Sequence, residues 1–255
     1  MNPNLSDLLT RTDAIMAGAN GWHPDLDLLS PNGAYRGKLH VGVDLGTAYT
    51  VLTVLDENYQ PIAGEYKFAQ VTRDGLVVDF VGAVDLLRKM KARVEQKLGF
   101  ELTSAASSYP PGVPQAEVRA TANVLYGAGL ECTGLIDEPT AANNVLQVKD
   151  GAIVDVGGGT TGIAIFKDGK VVYTADEPTG GTHFSLVIAG STGTTFEEAE
   201  ALKTNPKEQT RLFPVIRPVM EKVASIVSRH IEGYQVDKLY LVGGTCAYPG
   251  MDRVV

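Results

Sequence analysis

Two matching stretches constrain this chain more than any other feature. VGVDLGTAYTVLTV (residues 41–54) and AIVDVGGGTTGIAI (152–165) lie over one another without a gap, so that Asp44 falls on Asp155, Gly46 on Gly157 and Val43 on Val154. Each reads as an apolar strand ending on an aspartate, a glycine turn and a second apolar strand. Turns at Asp56–Pro61 and at Lys167–Gly169 lead each copy into a third strand. A tight hairpin needs only two turn residues that accept positive φ. The three glycines at 157–159 go beyond that need, and each costs about 0.5–1 kcal/mol against alanine in folding entropy. What they offer is backbone that a ligand can approach closely, because successive bare N–H groups form concavities that bind anions. The duplication predicts two similar halves across a cleft, with Gly46 and Thr47 of one and Gly157–Thr160 of the other gripping a polyphosphate.

Composition narrows the ligand. With 255 residues, 44% of them hydrophobic, the chain has material for one large domain or two small ones with ordinary cores. A net charge of −8 and the lack of any Lys/Arg run argue against nucleic acid as a partner. Free nucleotides stay in play, since backbone amides rather than lysines can hold phosphates. Met1–Ser30 carries Asp7, Asp13, Asp25 and Asp27 and no continuous apolar segment, so no secretory signal is expected, and no run of about 18 apolar residues predicts a membrane span. Cys132 and Cys246 have no partner-like spacing and read as reduced thiols of a cytoplasmic protein. His23, His40, His183 and His230 form no ligand-like cluster.

Three segments follow. Residues 1–38 hold an amphipathic helix after Asn4, with Leu5, Leu8, Leu9, Thr12, Ile15 and Met16 at helical spacing, and then a Gly/Pro/Asn-rich linker from Gly18 to Gly37. That helix reads either as packing on the main body or as a detachable docking peptide for a partner. Residues 39–150 form the first half and 151–255 the second. Helices are expected over 81–97, 115–126, 196–203 and 213–231, the last kinked or restarted by Pro214 and Pro218, with a buried strand at 238–244. The mixture of strand hairpins and helices gives an α/β class.

Five blocks in order then resemble the ATPase superfamily that includes Hsp70, actin, the bacterial cell-shape filament protein and sugar kinases. VGVDLGTAYT is similar to its first phosphate loop, DEPTAANNV (137–145) to its connecting helix and VDVGGGTTGIAI to its second phosphate loop. PTGGTHF (178–184) resembles the Gly-Gly turn that follows, and LVGGTCAYPGM (241–251) the adenosine motif. The resemblance implies an actin/Hsp70-like fold of two duplicated ribonuclease-H-like halves around a nucleotide cleft. The short spans between Asp44 and Glu138 and between Thr182 and Gly243 predict reduced outer subdomains.

The resemblance also distributes roles. ATP with Mg²⁺ is the implied cofactor pair, Asp44 and Asp155 facing the metal largely through water, as suits an ion that keeps several waters. For an isolated strand-ending aspartate, turn capping is the alternative. Gly46, Thr47, Ala48, Gly157, Gly158, Gly159 and Thr160 would contact phosphates, with Gly180 and Gly181, while Gly243 and Gly244 would lie against adenosine. Glu138, Asp155 and Thr160 form the implied catalytic set. Glu138 would position water, its alternative being capping of the helix that Pro139 starts.

Three departures bear on turnover: the short spans thin the cleft walls, no counterpart of the Hsp70 lysine lies between Tyr66 and Lys91, and the third is Gly162. Many members carry Asp or Glu where this chain has Gly162, which leaves hydrolysis open and implies a weak ATPase at most. The family also continues into a last helix past MDRVV, so the second half is expected to lack it, and no Hsp70-type peptide clamp is expected. The N-terminal extension and the 155–190 block look most like the ethanolamine-utilisation J family of Hsp70-like chaperones. That implies a client protein, either ethanolamine ammonia-lyase or a microcompartment shell component. An actin-like, nucleotide-gated scaffold or filament is the alternative.

Overall fold

The computed structural model describes residues 5–17, 37–73 and 76–255. Asn4 and most of the expected linker, residues 18–36, lie outside them. By contacts the chain divides into two units, Met1–Tyr109 with Val113–Asp137, and Pro110–Gly112 with Glu138–Val255.

The first unit is a five-stranded sheet. β1 (His40–Leu45), β2 (Tyr49–Leu55) and β3 (Pro61–Phe68) form an antiparallel meander. A two-residue hairpin of β4 (Thr72–Arg73) and β5 (Leu76–Val77) leads into α2 (Phe80–Leu98). β6 (Ser104–Tyr109), α3 (Gln115–Gly127) and β7 (Glu131–Asp137) follow, and the strand order is β3-β2-β1-β6-β7 with β1, β6 and β7 parallel. Sequence dictates the ends of α2. Asp79 caps it by accepting from the Gly82 N–H at 2.8 Å, and Gly99 ends it at φ 75°. Val84, Leu87, Met90, Val94 and Leu98 recur at helical spacing and bury against Val43, Leu52 and Val54 of the sheet.

The N-terminal helix α1 (Leu5–Ala17) packs on β3. Ile15 is buried, the Met16 side chain lies over Gly64, and Arg11 donates to the Gln60 side chain at 2.9 Å. Its apolar stripe is therefore seated on the unit's own sheet, as the packing alternative expects.

The second unit repeats the plan. After α4 (Glu138–Leu146) come β8 (Gly151–Val156), β9 (Thr161–Lys167) and β10 (Lys170–Glu177), antiparallel in turn. α5 (Gly181–Thr192), α6 (Phe196–Thr204) and α7 (Pro206–Ile231) lead to β11 (Leu239–Val242), parallel to β8, and then to a 3-10 turn and α8 (Met251–Val254). The order is β10-β9-β8-β11, the first four positions of the other sheet. Val154, Val156 and Ile163 pack under α5 and α7, while Ile153, Ala164 and Phe166 cluster with Val148 and with Ala142 and Leu146 of α4.

Two expectations are corrected. α7 runs for 26 residues through Pro214 and Pro218, so the helix does not restart there. Both prolines lie on its exposed side, where the carbonyls they leave unbonded meet water, while Leu212, Ile216, Met220 and Val223 form a continuous buried row. β11 is half-buried rather than buried, because it ends the sheet. Among the described residues, no helix is long and apolar enough to cross a membrane.

Candidate nucleotide site

In a sheet whose strands run parallel, carboxyl ends share one edge, and ligands bind beyond that edge. In the first unit that edge carries the ends of β1, β6 and β7, hence Asp44, the Gly46–Ala48 turn and Asp137, after which Glu138 opens α4. In the second unit it carries the ends of β8 and β11. That gathers Asp155, Gly157–Thr160 and Gly243–Gly244, with Asp155 directly opposite Val242.

The two turns are closed by the same bond. Gly46 N–H donates to the Tyr49 carbonyl at 3.1 Å, and Gly157 N–H to the Thr160 carbonyl at 3.0 Å. Gly46 is compelled, since a Cβ there would stand 2.6 Å from the Tyr49 carbonyl oxygen. The Ala69 N–H ties β3 to the first turn through the Ala48 carbonyl at 3.0 Å. Asp44 is half-buried, with Ser108 Oγ 3.4 Å from its Oδ1, and desolvation pushes its pKa up to about 6 against the lowering effect of that hydroxyl.

The second turn shows how a glycine loop aims its amides. The Gly157 carbonyl accepts from Gly181 N–H at 2.9 Å and Thr245 Oγ1 at 2.8 Å, and the Gly158 carbonyl from Thr182 N–H at 2.7 Å. All described peptides are trans. In a trans peptide the C=O of one residue and the N–H of the next point in opposite directions. With both carbonyls turned into the first turn of α5, the N–H groups of Gly158 and Gly159 therefore point away from it, side by side. Adjacent outward amides of this kind make a concavity that suits an anion. Gly180 makes it possible, because a Cβ there would lie 2.6 Å from the Gly157 oxygen and 2.8 Å from that of Gly158. Gly243 sits at φ 88°, where a Cβ would collide with Asp155 Oδ1 and the Val156 carbonyl. Gly244 has open space around it. Thr160 and the start of β9 are buried, with Thr161 Oγ1 donating to the Thr179 carbonyl at 2.6 Å.

Sequence reasoning missed Ser185, Glu200, Lys203 and Thr245. Lys203 Nζ donates to Gly181 O at 3.1 Å, Ser185 Oγ at 3.0 Å and Glu200 Oε2 at 2.5 Å, which uses all three ammonium protons. Glu200 Oε1 is buried with no hydrogen-bond partner. The i, i+3 spacing of Glu200 and Lys203 on α6 was the available signal, but in a helix that opens FEEAEALK it reads as one more solvated pair. Within the second unit, the two outward amides suit a phosphate, and Asp155 ends the strand that leads into them. Gly162 differs from the charged residue common in the superfamily, and its Cα is flanked by Pro111 Cδ and Pro139 Cγ, each 3.4 Å from a built Cβ.

Two copies of a strand–aspartate–glycine turn–strand unit, closed by the same bond on sheets of the same order, define the actin/Hsp70-like ATPase fold. The family model "MreB/Mbl protein" matches residues 63–197 and "Type IV pilus assembly protein PilM" residues 141–255. The structure of MreB5 of Spiroplasma citri bound to AMPPNP superposes with a TM-score of 0.68 at 18% identity, over 86% of this chain and 88% of that one. Within this fold the chain belongs to the ethanolamine utilization protein EutJ family. It is 49% identical to the EutJ of Salmonella typhimurium over 216 residues, 85% of this chain and 76% of the relative. The EutJ structure from Carboxydothermus hydrogenoformans matches 98% of this chain and 89% of its own at 43% identity and a TM-score of 0.87.

Proposed function

We propose that this chain binds Mg-ATP and serves ethanolamine utilisation as an Hsp70-like chaperone or assembly factor. The observation that carries the reading is the pair of like-bonded turns, one of which presents two adjacent outward amides below a strand-ending aspartate. Phosphates sit on those amides, Asp44 and Asp155 hold Mg²⁺ largely through water, and Gly243 and Gly244 receive adenosine. Glu138 positions the attacking water. Binding draws the two halves together, and the closed form presents a changed surface to a client, either ethanolamine ammonia-lyase or a shell component of a microcompartment in the cytoplasm. A nucleotide drives such a change only through its differential affinity for the two states.

A second reading keeps the binding and drops the turnover. Gly162 lies between two proline rings, so the place of the superfamily's extra carboxylate holds no polar group that could act on water. A chain built so is a nucleotide-gated scaffold.

Single-turnover ATP conversion with protein in excess separates the readings. Conversion that stops in Glu138→Ala supports the cycling chaperone. Bound ATP that stays intact supports the scaffold. Absence of binding, with Asp155→Asn indistinguishable from the native chain, refutes the site.

A further inference from the structure

The sheet of the second unit ends at β10, and no described strand pairs with its outer edge. Exposed edges that bear apolar side chains are templates for another strand, and proteins usually cover or blunt them. The matching edge in the first unit, β3, lies under α1. On β10, Val171 and Val172 are 40% and 48% exposed, and the 40%-exposed ring of Tyr234 stands 5.3 Å from Tyr173. The strand is also rigidly backed. Tyr173 Oη and His230 Nδ1 are 2.7 Å apart, and Glu177 Oε1 lies 2.9 Å from His230 Nε2 and 2.6 Å from Arg229 Nη2, so three groups fasten it to α7. An edge already fastened to a helix loses little freedom on pairing.

Charge says what the edge fits. Lys170 lies directly opposite Lys167 at one end of the hairpin, and neither has an ion-pair partner among the described residues. Like charges directly opposite are unfavourable. The other end of the same strand carries Asp176 and Glu177. The row KVVYTADE is thus basic at its start, acidic at its finish and apolar between, and its natural complement is itself reversed.

We propose that two copies of this chain join edge to edge through antiparallel β10 strands, about a two-fold axis near Tyr173–Thr174. Each Lys170 then meets the Glu177 carboxylate of the other copy, whose Oε1 binds Arg229 and His230 and whose Oε2 takes the new ion pair. Both pairs form at once, and two four-stranded sheets become one of eight strands. The bulge between Val171 and Tyr173 interrupts the β10 ladder, so the regularly paired stretch is short. The contact is therefore smaller than the roughly 800 Å² per partner of a stable complex, and the dimer is weak and concentration-dependent. Because each copy spends its one β10 edge, association by this face stops at two.

Sedimentation of the full chain from about 5 to 500 µM, the range in which a contact this small associates, reads the proposal. The native chain follows a monomer–dimer equilibrium. Lys170→Glu, an exposed position, weakens it about tenfold by turning two symmetric attractions into repulsions. In a Cys132→Ser background, Thr174→Cys is crosslinked to its own copy by a short bismaleimide, while Lys207→Cys is not. A chain that stays monomeric at the highest concentration overturns the proposal. So does a dimer that ignores Lys170→Glu and leaves residue 174 uncrosslinked.

Discussion

Gly180→Ala tests the loop geometry at a single atom. Gly180 has φ −159°, an extended backbone that any residue adopts, so the substitution brings no conformational strain of its own. The whole effect lies in the added Cβ, 2.6 Å from the Gly157 oxygen and 2.8 Å from the Gly158 oxygen. Neither oxygen can withdraw freely, since Gly181 N–H, Thr182 N–H and Thr245 Oγ1 hold them at 2.7–2.9 Å. Relief requires the loop to lift off α5, which forfeits two or three hydrogen bonds of about 1 kcal/mol each. The expected destabilisation is about 2–3 kcal/mol, a Tm shift of about 5–10 °C for a chain of this size. Lifting the loop also rotates the Gly158 and Gly159 amides, so ATP affinity falls along with stability. Gly134→Ala, a strand position with nothing within 4 Å of an added Cβ and no part in the proposed site, is the control and should change neither by more than about 0.5 kcal/mol. Urea unfolding beside nucleotide titration reads both quantities. If the two variants behave alike, the loop is not pinned as described and the argument for outward amides fails.

Three further outcomes follow from the same geometry. Lys203→Met leaves Glu200 buried without its cation and should cost about 3–5 kcal/mol in urea unfolding, whereas Glu200→Met with Lys203→Met together should cost less than Lys203→Met alone. Glu177 has its pKa lowered by the hydrogen bond from His230, helped by Arg229. Its contribution is therefore fully present above the ordinary carboxylate value of 4.5 and is lost as pH falls below that value through the folded pKa. For a carboxylate near the surface this amounts to under about 1 kcal/mol, read as a difference between native and Glu177→Gln unfolding curves that closes in acid. Ile15→Asp should free α1 from β3, opening the chain to trypsin at Arg11 while unit 2 unfolds at its native urea concentration.

What was legible in the sequence was whatever local chemistry had to repeat. The Asp44–Gly46 and Asp155–Gly157 match set both hairpins and both turns, because a strand period of two and a glycine turn are local signals. The β3-β2-β1-β6 and β10-β9-β8-β11 orders were reachable only through the resemblance, since nothing local says that β6 returns beside β1 or β11 beside β8. Pro214 and Pro218 misled for a related reason. A proline's cost depends on whether its lost bond faces water, which tertiary burial decides. The buried Lys203–Glu200 pair was invisible on the same account: charge and spacing look alike on a solvated helix and on one pressed beneath a loop.

The two turns are equal in bonding and unequal in backbone, and that difference orders their work. Where the second turn has Gly158 and Gly159, the first has Thr47 and Ala48, whose side chains limit how near a ligand can come. The carbonyls of the second are anchored by α5 and Thr245, whereas in the first the Ala48 carbonyl accepts from the Ala69 N–H at the end of β3. In the proposed function, close phosphate contact is therefore assigned to the second unit. The first supplies Asp44, whose raised pKa marks a carboxylate that gains from a cation beside it. Under the proposed function the expected outcome is that Gly158→Ala lowers ATP affinity with or without Mg²⁺, while Asp44→Asn lowers it only with Mg²⁺. Equal losses in both variants would refute the division. Binding then precedes, and need not entail, cleavage of the bond.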